Sequence, residues 1–502
     1  MPPSPQTGTT RAQFLKRLGG AAGLAALGGA SYGAVRLAGD VTVQRPVSPA
    51  SAPVARRAYA SRRDLRPPGV EVTGMPNGYL LLSPSIKGAS RVAAEPGALI
   101  VDSAGEPVWF RPVPDHDAVT NLAVSRFGGQ PVLSWWQGQI NSTGYGQGEG
   151  VILDAAYRQV ASVRAGHGRK ADLHELQLTP EGTALITCFP QPVDADLSAV
   201  GGPARGQVLE NVIQEVDVRS GRVILEWRSL DHVPVTDSYH PVREPFDYLH
   251  VNSIDLTPDG HLLISARHTW ALYKIHRRTG EVIWTLGGKR SDFSLDRNAR
   301  FSWQHDARQL SADTISLFDD GSDGPLRTES QSRGLVLALD GATRRVRVQQ
   351  TYERQHRGLS AAAMGNVQTL AGGNVLVGWG IEPYATEFSP AGRMISDIRM
   401  PAGLFSYRAF LDRWTGMPAA APALAVRAGR RGGVARASWN GATAVTHWRL
   451  YLGQRGALRP GPIVPRSGFE TAIPFVGSAG AFRAVALDPQ GRRLGISPAV
   501  RA

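Results

Sequence analysis

A hairpin pattern recurs along this chain, and a recurring unit that cannot bury its own faces restricts the fold more than any other feature. Its copies read EVTGMPNGYLLLS, NLAVSRFGGQPVLSWW, HELQLTPEGTALITCF, HVNSIDLTPDGHLLISARH, HDARQLSADTISLFDD and GNVQTLAGGNVLVGWG. Apolar residues alternate on either side of a Pro-Asp-Gly-like stretch, which is the chemistry of a tight reverse turn between two strands. A second hairpin follows each copy, as in ALIVDSAGEPVWF and YKIHRRTGEVIWTL. There, Gly105-Glu106-Pro107-Val108-Trp109 and Gly280-Glu281-Val282-Ile283-Trp284 line up residue for residue. Two hairpins make four strands. Six such units predict an all-β chain with a six-bladed β-propeller over residues 70–416. No helical periodicity competes, and 57 Gly and 35 Pro suit many short strands joined by turns.

The 502 residues leave room for more than the ring. Residues 1–39 read as an export signal or a weak membrane anchor: Arg11, Lys16 and Arg17 precede a Gly/Ala-rich apolar stretch that Arg36 interrupts. TRAQFLKRLGG resembles a twin-arginine export signal with Ala12 in the second arginine's place. An exported, extracytoplasmic protein is expected, secreted or tethered to the membrane by its N-terminus. Residues 40–69 form a Pro/Ala/Arg linker and 417–422 a shorter one. Residues 423–502 read as a fibronectin type III-like β-sandwich, with Trp439 and Trp448 in its core. Long insertions at 189–208 and 229–248, and a shorter one at 289–301, are expected as loops at one end of the ring, where such loops serve as lids or binding walls.

The net charge of +13 raises nucleic acid as a partner, but only five of the 55 basic residues are Lys and the arginines are spread thinly. No basic run interleaved with aromatics is present, so nucleic acid is not expected. Cys188 is the single cysteine and leaves no internal disulfide.

The chemistry concentrates on histidines. His174, His250 and His305 open three successive hairpin copies, and repeats bring equivalent positions together around a propeller's channel. Glu175, Asn252 and Asp306 stand beside them, able to orient imidazole tautomers. Arg267 and His268 end the strand that pairs with that of His250, and Arg308 follows His305. Imidazoles with one or two guanidiniums suit an oxyanion, with a neutral imidazole as base or nucleophile. Trp135 and Trp136 in SWWQG offer either a stacking wall for an aromatic ring or core between blades. His232, His240, His261, His276 and His356 fall in turns or insertions and read as exposed. Two further readings stay open: a non-catalytic ligand- or protein-binding propeller, and a metal-dependent hydrolase or lyase ligated by His174, His250 and His305.

HELQLTPEGTALIT, YLHVNSIDLTPDGHLLISARHT, LYKIHRRTGEVIWTLGGKRSDF, FSWQHDAR, ISLFDDG, GNVQTLAGGNVLVGWG and SYRAFLDRWTG together resemble the arylsulfotransferase (ASST) family over roughly residues 75 to 416. The resemblance implies a six-bladed propeller that moves a sulfuryl group from a phenolic sulfate donor to a phenol acceptor, without phosphoadenosine phosphosulfate and with no cofactor. By motif, it assigns His305 in WQHDAR as the nucleophile and His250 with Arg267 as the pair that binds the sulfate oxygens. His174 in LHEL becomes a candidate acid/base, and Asn252, His268, Arg308, Trp135 and Trp136 become candidate substrate contacts. Ping-pong kinetics follow.

Overall fold

The computed structural model describes residues 57–501 apart from 75, 89, 91, 93, 115, 355–357 and 455, together with a short strand at Thr42–Val43. The expected signal or anchor at 1–39, much of the first linker and His356 lie outside the described residues. Among the described residues there are strands and 3-10 turns but no α-helix, and no helix long and apolar enough to cross a membrane.

The body is a set of antiparallel sheets, each starting from one strand of a set numbered here β1 (Ala118–Phe127), β2 (Ala171–Leu178), β3 (Val251–Leu256), β4 (His305–Ser311), β5 (Asn366–Thr369) and β6 (Leu404–Asp412). From β3 the chain runs back and forth through Leu262–Ala266, Ala271–Ile275 and Val282–Gly287. The β4 and β5 sheets follow the same plan, while the β1 and β2 units join into one larger sheet through Ala171 and Gly148. β1 to β6 neighbour one another in cyclic order, with β6 returning against β1. The first and last strands of the body close this cycle. β6 pairs with Tyr79–Ile86, and Glu71–Thr73 completes the β5 sheet on Met394–Arg399. The sequence pattern placed EVTG in the first hairpin and SYRAFLD after the last unit. Instead each is exchanged onto the sheet at the other end, because a ring of separate sheets is held shut only where distant segments pair.

Side chains tie the set together at its middle. Asn121 on β1, Asn252 on β3 and Asn366 on β5 each donate their Nδ2 hydrogens to a backbone carbonyl on or just ahead of the next strand: Leu173 at 2.9 Å, Gln304 at 2.7 Å and Ala409 at 2.8 Å. Arg408 on β6, 2 % exposed, donates to Asn121 at 2.9 Å, to Glu175 on β2 at 2.9 Å and to the carbonyl of Asn252 at 3.1 Å, and pairs with Asp306 on β4 at 3.1 Å. Burial pushes the Glu175 carboxyl up, but the Arg308 and Arg408 guanidiniums overcome it and hold it below the usual carboxylate range.

The 189–208 insertion continues a hairpin, with Thr183–Ala195 paired to Gly206–Asp217 out to Ala195 and Gly206. The 229–248 insertion makes 3-10 turns at Ser229–Asp231 and Val235–Asp237 before reaching β3. Beyond the body, two antiparallel sheets over 423–501 face each other across Trp439, Trp448, Ile473, Phe475 and Phe482. They dock on the body through Asn440, paired with the backbone of Phe110, and through Gly441, whose carbonyl accepts from the Tyr157 hydroxyl at 2.7 Å. A cavity of about 340 Å³ lies at this junction, lined by Arg62, Trp109, Tyr157 and Trp439, and none of the histidines of the β2–β4 cluster lines it.

Candidate active site

Near the start of β2, β3 and β4 the strand pairing slips by a bulge, and φ turns positive at His250 (56°) and Asp306 (54°). Bulges re-aim side chains, here towards the middle of the ring. Three imidazoles are gathered in this way, each with Nδ1 against a carboxylate. His174 meets Asp172 at 2.5 Å, His250 meets Asp247 at 2.7 Å and His305 meets Asp320 at 2.7 Å. The His174 and His250 rings lie 4.9 Å apart, edge to face. The Tyr145 ring lies 4.7 Å from His250, and its hydroxyl donates to Asp247 at 2.8 Å. Counted back from the turn glycines Gly129, Gly182 and Gly260, His174 shares its place with Asn121 and Asn252, so His250 stands upstream of the equivalent position. The positive φ at His250 brings it level with His174 all the same.

Arg267 and His268 extend the group. His268 donates from Nδ1 to the Asp247 carbonyl at 2.6 Å, and Arg267 donates to His268 Nε2 at 3.0 Å and to the Ala362 carbonyl at 2.9 Å. His240, from the 229–248 insertion, stacks on His268 at 4.0 Å. The Met364 N–H donates to His305 Nε2 at 3.2 Å. One short segment, Ala362 to Met364, thus touches both the imidazole and the guanidinium. Burial drives the pKa of His305 well below its ordinary value, aided by the positive charge of the Arg267 and Arg408 guanidiniums, so its imidazole is neutral. Burial likewise holds His250 and His268 well below theirs and lowers His240. Asp320 is pushed well above the usual carboxylate range by burial, against the opposing pull of the Arg267 guanidinium.

Other residues singled out in the sequence sit elsewhere. Trp135 and Trp136 are not a stacking wall: Trp135 is 0 % exposed in the core with Trp109, and the Trp136 indole donates to the Ala171 carbonyl at 3.0 Å. Neither ring face is open. The guanidinium of Arg308 is taken up by Glu175 at 2.7 Å, Asp306 at 2.6 Å and the Ile254 carbonyl at 2.8 Å, which makes it a tie between strands rather than a free anion grip. Asn252 is fully buried and spends its amide on Gln304, with Oδ1 unpartnered. His232 is not loose in solvent but stacks on Trp227 at 5.2 Å, and His261 lies 4.9 Å from His276.

Sequence reasoning missed Asp172, Asp247, Asp320, Tyr145 and His240. A signal existed for two of them, since DLH and DYLH each place an aspartate just ahead of a histidine. Asp320 comes just after the strand paired with β4 (Thr314–Asp319), where His305 faces Phe318. The hydroxyl of Tyr407, beside the His174 ring at 5.9 Å, is buried without a partner. Asp247, His250 and His268 also place donor atoms within 4.8 Å of one another, a spacing open to a metal ion. The adjoining Arg267 guanidinium opposes a cation there. The group as a whole offers buried imidazoles, with His305, His250 and His268 neutral, beside one guanidinium, the equipment for holding an anion and attacking it.

The family model for arylsulfotransferase (ASST) matches residues 123–400. No curated protein matches the chain in sequence. Among solved structures, a protein of unknown function from Bacteroides caccae is 12 % identical, over 66 % of this chain and 98 % of its own, with a TM-score of 0.41. Virginiamycin B lyase from Staphylococcus aureus is 10 % identical, over 65 % of this chain and 87 % of its own, with a TM-score of 0.34.

Proposed function

This chain belongs to the arylsulfotransferase (ASST) family, and on that premise we propose that it transfers a sulfuryl group from a phenolic sulfate ester to another phenol, without phosphoadenosine phosphosulfate, by way of a sulfohistidine on His305. The observation that carries this reading is the buried, neutral His305 beside Arg267, His250 and His174. In the first half-reaction a lone pair of His305 forms a bond to sulfur while the bond from sulfur to the aryl oxygen breaks. The phenolate leaves with that electron pair and takes a proton from His174. Arg267 and His250 face the sulfuryl oxygens, where fixed donors offset negative charge as it shifts. In the second half a new phenol returns its proton to His174 and attacks sulfur, and the pair in the N–S bond returns to His305.

The strand cycle of β1 to β6 supports a six-bladed propeller as the scaffold, and the paired sheets over 423–501 support a fibronectin type III-like module. An exported protein, secreted or held at the membrane by residues 1–39, completes the reading. The test is steady-state kinetics with 4-nitrophenyl sulfate and a second phenol. Parallel double-reciprocal lines are expected, with activity unchanged by chelators. Intersecting lines would remove the covalent intermediate. Loss of activity on chelation, restored by a divalent metal, would favour the Asp247–His250–His268 donor set as a metal site instead.

A further inference from the structure

We propose that Asp172, Asp247 and Asp320 are positioning residues, each holding the Nδ1–H of one imidazole and so turning its Nε2 to the site, and that Asp320 thereby leaves the lone pair on Nε2 of His305 and makes it the attacking atom. The proposal rests on the sulfuryl-transfer reading for its kinetic consequences, but the tautomers stand on geometry alone. A backbone N–H and a guanidinium can only donate. The nitrogens they meet, Nε2 of His305 under the Met364 N–H and Nε2 of His268 under Arg267, must therefore be acceptors. A neutral imidazole carries one proton, so in both rings it sits on Nδ1. There it faces the Asp320 carboxylate at 2.7 Å in His305 and the Asp247 carbonyl at 2.6 Å in His268. His174 and His250 repeat the arrangement against Asp172 and Asp247.

The partners are set deep. Asp320 is 0 % exposed and Asp172 1 %, where water cannot substitute for the carboxylate. Asp247 is a hub, with its two carboxylate oxygens on Tyr145 and His250 and its carbonyl on His268. When Nε2 of His305 bonds to sulfur, the Nδ1 proton stays in place and the ring becomes cationic, and the Asp320 carboxylate beside it offsets that charge. The S–O bond to the aryl group breaks in the same step, and its electron pair leaves on the phenolate. The Met364 N–H withdraws from Nε2 as sulfur takes its place.

The test has two arms. Nitrogen-15 spectra of histidine-labelled wild type, with His305→Ala used for assignment, are expected to show His305 protonated at Nδ1 and bare at Nε2. The opposite tautomer overturns the proposal, whatever the protein's activity. In Asp320→Asn the amide no longer enforces this tautomer. Then kcat is expected to fall about 10³- to 10⁴-fold with KM within a few-fold of wild type, and Asp320→Glu to recover part of the loss. A kcat within threefold of wild type in a folded Asp320→Asn variant also overturns it. If that variant does not fold, the wild-type spectrum decides. The expected tautomer in a protein that turns over no aryl sulfate would uphold the positioning role and sink the sulfotransferase reading.

Discussion

His305, His250 and His268 are each held well below their ordinary pKa by burial, with His240 lowered beside them, and that has a consequence for stability that runs in one direction. The unfolded chain takes up protons on these imidazoles below about pH 6.5, while the folded chain does not. The unfolded state then binds more protons, so their contribution to stability is intact above pH 6.5 and lost as pH falls from there towards the folded values. Each such imidazole removes up to about 1.4 kcal/mol per pH unit across that window. Urea melts at pH 7.5 and pH 5.5 are expected to show the lower stability at pH 5.5, with the difference shrinking in a His268→Asn variant. An equal or greater stability at pH 5.5 would mean that these rings are charged in the folded protein. The same burial keeps His305 neutral across ordinary pH, which is the state a nucleophile needs.

At the level of the strands, the sequence made the meeting of His174 and His305 readable, because copies of one hairpin return to one place in a ring, whereas His250 joins them from two residues ahead of the repeat position. It did not show the bulges. Positive φ at His250 and Asp306 depends on how each strand meets its neighbour, and that is a tertiary property. Nor did it show what Arg308 does, since Glu175 lies far back along the chain and reaches Arg308 only once β2 and β4 converge. The tryptophans of SWWQG were equally open to wall or core, and burial between sheets decided it for core. β6 was the least legible element. It follows the last repeat, yet it supplies Arg408, which binds residues of β1, β2, β3 and β4. Removing one partner from a buried ion pair costs about 3–5 kcal/mol, because the other charges stay behind unpaired. Arg408→Ala is therefore expected to lower the unfolding free energy by about that amount in chemical denaturation. A loss under about 1 kcal/mol would show that β6 is held by its backbone pairing to Tyr79–Ile86 alone.

Over the whole molecule, several arginines are internal ties rather than free positive surface. Arg308, Arg333, Arg354 and Arg408 are spent on carboxylates within the sheets. Arg267 differs, since its hydrogen bonds go to an imidazole and a carbonyl rather than to an acid. A guanidinium that is hydrogen-bonded to no carboxylate and set beside the neutral His305, His250 and His268 is placed to take an anion. The 229–248 insertion joins the same arrangement by delivering His240 and Asp247, while the sheets over 423–501 dock on the Phe110 and Tyr157 side of the body. If sulfur becomes bonded to His305, intact mass after brief mixing with 4-nitrophenyl sulfate shows it, measured for wild type and His305→Ala. A gain of about 80 Da, one sulfuryl group, in wild type alone is the result this account predicts. A gain in both proteins would place the nucleophile elsewhere, and no gain in folded wild type that releases no nitrophenol would contradict the account altogether.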